Sequence, residues 1–236
     1  MNQTSDTGRT YSARHYSPLD QLINVIDTGL RTVLSTPESQ RAYPAGERCE
    51  KGGDKDSDEN QADANLSETD KTQAGRFMRI NHAGEVAAQG LYTGQALTAK
   101  MEDVREKMQE AAQEENDHLN WCATRINELG THTSYLDPLW YVGSVTIGAL
   151  AGIAGDKWSL GFVAETEKQV VKHLDSHLNQ LSENDTRSRA ILEQMKIDEG
   201  KHATTAVESG GAQLPAPIKG LMKITAKVMT KSTYWI

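Results

Sequence analysis

Two short stretches carry the residues with most chemistry to offer, Glu115-Asn116-Asp117-His118 and Glu199-Gly200-Lys201-His202. A glutamate and a histidine three residues apart lie on one face of an α-helix. Around the second pair, Ile191, Leu192, Met195, Ala203 and Ala206 keep helical spacing, so Glu199 and His202 fall on the stripe that a helix buries. The first pair interrupts a similar stripe of Met101, Val104, Met108, Ala111, Ala112, Leu119, Cys122, Ile126 and Leu129. Burying a carboxylate and an imidazole is costly unless something compensates them, and a metal ion is one such compensation. Two Glu-x-x-His pairs, joined by one inward glutamate from each of two further helices, form the ligand set of a dinuclear carboxylate site in a four-helix bundle.

The chain offers both further glutamates. Ser67 with Asp70 reads as a helix start, and the helix it opens carries Glu85 on its stripe between Asn81 and Ala88. Ala83, Gly84, Ala87 and Ala88 would let a neighbour come close there. A later helix has the stripe Val163, Glu167, Val170, Val171, Leu174, Leu178 and Leu181. Periodicity selects Glu167 over Glu165, which lies about 160° around the helix. His173 is read as a surface histidine and Glu114 as solvated, with Asp117 near enough to support a ligand. Gly200 is read as making room beside the site. The candidate set is thus Glu85, Glu115, His118, Glu167, Glu199 and His202. Oxygen-rich ligation with one histidine per metal suits iron or manganese rather than zinc. A reduced di-iron pair leaves positions where O2 binds and takes up two electrons.

The elements that must position this set are helical, and no β-alternation is evident over the 236 residues. Residues 1–16 are polar and expected to be disordered, without the apolar core of a secretory signal. Residues 17–35 form an amphipathic helix with Ser17 as N-cap and Pro18 at its first position. Leu19, Leu22, Ile23, Ile26, Leu30, Val33 and Leu34 give it a face that must pack on something. Residues 36–66 read as a flexible acidic insertion, too poor in apolar residues to offset its ordering entropy. Residues 67–209 form the bundle.

Within the bundle, Pro138 to Gly155 is an uncharged run of 18 residues, the lower limit for a membrane span. A span would put Glu85 and Glu115 on one side and Glu199 on the other, so the run is read as the long crossover of a ferritin-like bundle. Its glycines suit close packing, and Leu139–Gly155 could dip into a membrane face. Residues 216–236 form a basic amphipathic helix, with Lys219, Lys223, Lys227 and Lys231 opposite Ile218, Leu221, Met222, Val228 and Met229, and Tyr234 and Trp235 beyond. That pattern marks a helix lying on a membrane surface. The net charge of −8 argues against a nucleic-acid partner. Cys49 and Cys122 alone suit a reducing compartment, which points to the cytoplasmic face of a membrane and peripheral attachment.

The sequence resembles the di-iron demethoxyubiquinone hydroxylases, the 2-polyprenyl-3-methyl-6-methoxy-1,4-benzoquinol monooxygenases of ubiquinone biosynthesis. The resemblance runs from Leu19 to Ile236 and is sharpest at Arg79–Ala88, Glu115–His118, Gly161–Glu167 and Met195–Ala203. The stretch from Glu47 to Asn65 is longer than the family's usual length. The resemblance implies that the same six residues hold two iron ions per chain, with Glu115 and Glu199 bridging. It also implies O2 as co-substrate and a polyprenyl benzoquinol as substrate. The chain has no dinucleotide fingerprint or iron–sulfur cysteine run, so electrons come from the quinol, from NADH acting through it, or from another protein. The competing class is a ferritin-like iron store or a peroxide scavenger. Storage needs a cage of soluble subunits, which the membrane-like features argue against.

Overall fold

A computed structural model describes residues 17–46 and 65–236. The reading of residues 1–16 as disordered, and most of the acidic insertion including Cys49, lie outside the described residues. Among the described residues there are seven helices and no strand: α1 Pro18–Leu34, α2 Glu68–Thr98, α3 Glu102–Glu128, α4 Asp137–Ile153, α5 Asp156–Leu178, α6 Thr186–Glu208 and α7 Ala216–Thr233. Their ends follow local chemistry. The Ser17 and Ser67 hydroxyls accept from the N–H groups of Asp20 and Asp70, and Asp185 caps α6 by accepting from Ser188. Gly130, at φ 68°, turns the chain out of α3.

Helices α2, α3, α5 and α6 form the bundle. α3 runs antiparallel to α2, since Gln89 meets Asn116 while Arg79 reaches Thr131. α5 is antiparallel to α2 as well, with Tyr92 on Glu167 and Asn81 on His177. Both α3 and α5 therefore run the same way, and the chain between them must return along the bundle. α4 is that return, parallel to α2 and seated on it backbone to backbone. A Cβ at Gly94 would lie 2.1 Å from the Val145 carbonyl oxygen, and one at Gly148 would lie 2.2 Å from that of Leu91. The close approach is thus made by Gly90 and Gly94 with Gly148 and Gly152, whereas Gly84 faces open space. The architecture is a ferritin-like four-helix bundle with one crossover helix. Among the described residues no helix is long and apolar enough to cross a membrane.

The outer helices differ from expectation. α1 seats by a narrow edge, Gly29 against the Tyr141 ring, with the Tyr141 hydroxyl donating to Val25 O at 3.3 Å. Its leucine and isoleucine stripe faces outward instead of packing, from 54% exposed at Ile26 to 76% at Leu34. α7 is fixed by buried Thr233 and by Tyr234, whose ring packs on Phe77, so Tyr234 is engaged by the bundle. Residues 37–46, read from composition as part of a flexible insertion, form an ordered strap over α3 and α6. Backbone and side-chain hydrogen bonds fix it, and these do not register in apolar content: Ser39 and Gln40 bond Asp117, and Arg187 donates to Ala45 O and Gly46 O.

Candidate metal centre

Each bundle helix brings its predicted residue to one level of the interior. That level lies between two apolar clusters, one around Met78, Trp121, Leu174 and Leu192, the other around Val104, Met108, Leu160 and Val163. Glu85, Glu115, Glu167 and Glu199 are each buried, as is His118, while His202 keeps 12% side-chain exposure. Glu85, Glu115, His118 and Glu199 place one ligand atom each within 4.8 Å of one another. His118 Nδ1 lies 2.9 Å from Glu115 Oε2, 3.1 Å from Glu199 Oε1 and 3.7 Å from Glu85 Oε2. His202 Nδ1 lies 3.2 Å from Glu199 Oε2 and 3.4 Å from Glu115 Oε1. Glu115 and Glu199 therefore each turn one oxygen to each histidine. Glu167 sits on the His202 side and accepts from the Tyr92 hydroxyl at 2.6 Å.

The electrostatics follow from crowding buried carboxylates around imidazoles. Burial, then the Glu115 charge, raises Glu85 well above the usual carboxylate range, and burial with the Glu199 and Glu115 charges does the same to Glu167. Burial would raise Glu115 too, but the two histidines overcome it and hold Glu115 low. For His202 burial works downward, and hydrogen bonds to Glu115 and Glu199 outweigh it and lift the ring to about 12. Protons are thus retained where negative charge has no other partner. Glu115 Oε1 and Glu199 Oε1 are buried facing only the histidine rings, and neither has a well-aligned hydrogen-bond donor. Four buried carboxylates with poorly paired oxygens are what a cation satisfies, so the residues fit a metal site.

Side chains beside the centre take places that helical period alone does not assign. Glu114 is not simply solvated, because its Oε2 lies 2.6 Å from His202 Nε2. Asp198 faces His118 Nε2 at 3.3 Å. Each precedes a shared glutamate, a spacing visible in the sequence but ambiguous without the facing helix. Asp117, expected to support a ligand, instead accepts from Ser39 and Gln40 of the strap. His173 is not a surface histidine. Its ring sits edge-on to His177 at 4.0 Å, and burial lowers it to about 4. Gly200 makes no room beside the centre, since a Cβ there meets nothing within 4 Å. Glu165 points out of the bundle and pairs with Lys219 at 3.1 Å.

Comparison with known proteins gives the family. The family model for ubiquinone biosynthesis protein COQ7 matches residues 72–233, a span that contains all six residues. A 3-demethoxyubiquinol 3-hydroxylase of Nitrosococcus oceani is 55% identical over 94% of this chain and 99% of its own length. Proteins of the same description from Pseudomonas putida and Nitrosomonas europaea are 53% and 50% identical, over 94% and 92% of this chain and 98% and 99% of theirs. With the family match spanning nearly the whole bundle and these relatives aligned over nearly their full length, this chain belongs to the COQ7 family of ubiquinone biosynthesis proteins.

Proposed function

We propose that this protein is an O2-dependent hydroxylase of a polyprenylated methoxy-benzoquinol ring, and that Glu85, Glu115, His118, Glu167, Glu199 and His202 hold two iron ions for the reaction. The observation that carries this reading is the sharing of Glu115 and Glu199 between the two histidines. The relatives named as hydroxylases supply the reaction class. Iron bound there supplies the reductive activation of O2.

The chain's own residues do the rest. Glu115 and Glu199, each facing both histidines, would be the shared ligands, with Glu85 on α2 and Glu167 on α5 as the further carboxylates. The Tyr92 hydroxyl fixes the direction in which Glu167 presents its second oxygen. The apolar clusters on either side exclude water, which strengthens each charge interaction between them. Overall, a ring C–H becomes C–OH, and the other oxygen atom leaves as water with two electrons and two protons. The quinol, or NADH acting through it, is the proposed source of those electrons. A polyprenyl substrate partitions into lipid, so the proposed location is peripheral, on the cytoplasmic face of a membrane. The exposed apolar faces of α1, α4 and α7 support that placement.

The test is oxygen transfer. Protein reconstituted with ferrous iron receives a short-chain methoxyquinol, a reductant and isotopically labelled O2. The expected result is one labelled atom in the new ring hydroxyl, with a fixed content of about two irons per chain. Mineral loading of many irons per chain, or peroxide consumption, without ring oxidation overturns the reading in favour of a store or scavenger.

A further inference from the structure

At the His118 end of the centre, residues 37–41 lie across α3 and α6. There the strap is pinned along α3: Ser39 Oγ and Gln40 N–H donate to Asp117 Oδ1 at 2.9 and 2.7 Å, and Asn120 donates to Pro37 O at 2.8 Å. His118 has no exposed surface beneath it. At the other end His202 meets Glu114, whose side chain is 56% exposed.

The two histidines use their rings alike. Each turns Nδ1 to the shared carboxylates and Nε2 to an acid on the opposite helix: His118 of α3 to Asp198 of α6, and His202 of α6 to Glu114 of α3. An acid in that place fixes the tautomer and orientation of a metal-binding ring. The two acids are unequal. Asp198 is 5% exposed and is itself held by Arg41 Nη1 at 2.7 Å and Gln194 Nε2 at 3.1 Å. Arg41 also lies 4.9 Å over the Trp121 ring, which is tilted against His118 at 5.3 Å. One strap residue, its side chain 38% exposed, thus constrains His118 from two directions through buried Asp198 and Trp121, whereas Glu114 holds His202 directly from a side chain 56% exposed.

We propose that Arg41 is a positioning residue that locks His118 through Asp198 and Trp121, and so makes the two metal positions unequal. The position served by His118 retains its ion, and the position served by His202 is the one that exchanges. This rests on the two-iron reading above. An ion leaves when a ligand ring swings away. His118 cannot swing without breaking a buried, charge-assisted hydrogen bond, while the His202–Glu114 contact opens at the surface, where such pairs are weak.

The experiment is anaerobic loading with ferrous iron alone, then removal by a coloured chelator, with magnetic circular dichroism recorded alongside. The wild-type protein is expected to release one iron fast and one slowly. Arg41→Ala should speed the slow phase by about 10–100-fold, the range for losing an outer partner of a ligand, and leave the fast phase unchanged within about twofold. Arg41→Lys, which keeps the charge at Asp198, should recover most of the difference. Asp198→Asn should act on the same phase, with Arg41→Ala adding little on top of it. A merely structural role for Arg41 would move both phases together and track the melting temperature. Equal release of both irons from the wild-type protein, or an unchanged slow phase in both Arg41→Ala and Asp198→Asn, overturns the proposal while leaving the two-iron reading intact. Failure to bind two irons at all overturns both.

Discussion

The Tyr92 hydroxyl donates to Glu167 at 2.6 Å, while Glu165, two residues earlier, pairs with Lys219 at 3.1 Å. Their fates on exchange should differ accordingly. Glu167→Ala is expected to lose iron and at least about 100-fold in kcat, the upper end of what even an outer partner is worth. Glu165→Ala should keep both, since Glu165 pairs with Lys219 of α7 and not with the residues of the centre. Iron analysis beside turnover decides it, and the converse result would exchange the two roles. His173 allows a second test. Burial holds it at about 4 in the folded chain, below the ordinary histidine value of 6.5, so the unfolded chain binds the extra proton. Stability is then full above pH 6.5 and falls as pH drops toward 4, by up to about 1.4 kcal/mol per pH unit from this group. Its Nε2 is buried without a partner, so His173→Phe should cost little at pH 7 and flatten that slope. Denaturant titrations at pH 7 and pH 5 measure it, and an undiminished slope in the variant would assign the acid sensitivity elsewhere.

Glycine has opposite meanings in α2 and α6. Gly94 is filled by the α4 backbone, whereas Gly200 faces open space in the interior of a helix. Gly94→Ala should therefore destabilise by about 1–3 kcal/mol or more, because a backbone carbonyl cannot move aside as a side-chain end can. Gly200→Ala should stabilise by about 0.5–1 kcal/mol through helix propensity and reduced freedom of the unfolded chain. Urea midpoints of the two variants beside wild type check the pair. A destabilising Gly200→Ala would mean that something close-packs there after all.

Among the described residues, apolar surface is left outward along α1, α4 and α7. Leu22, Ile26 and Leu30 of α1, Leu139 and Leu150 of α4, and Leu221 and Val228 of α7 are each more than half exposed. α4 and α7 meet where Trp140 Nε1 donates to Thr233 Oγ1 at 3.1 Å. The expected outcome is that the protein floats with anionic vesicles. Replacing Leu22, Ile26 and Leu30 by serine should weaken binding at least tenfold, since each buried aliphatic side chain is worth about 1.5–3 kcal/mol. Replacing Lys223, Lys227 and Lys231 by glutamine should weaken it chiefly at low salt. Vesicle flotation that does not change in either variant would remove these faces as the membrane contact.

The sequence by itself determined the four bundle helices, the start of α2 and the end of α3, and it put Glu85, Glu115, His118, Glu167, Glu199 and His202 on inward stripes, because helical period and Glu-x-x-His spacing are local facts written every three or four residues. Ser17, Ser67 and Gly130 mark helix ends through hydrogen bonds and dihedral preferences that need no distant partner. Tertiary structure alone decided what depends on a facing element. Glu114 and Asp198 acquire their places only when α3 and α6 run antiparallel at one register. Gly90 and Gly94, rather than Gly84, take the close contact because α4 runs along that part of α2. The strap could not be foreseen from composition, since Ser39, Gln40 and Arg41 are held by polar bonds to acids about 80 and 160 positions away, and apolar content is blind to such bonds. The outward stripe of α1 has the same origin: periodicity reports that a face is apolar, and the partner that covers it is set by geometry beyond the helix.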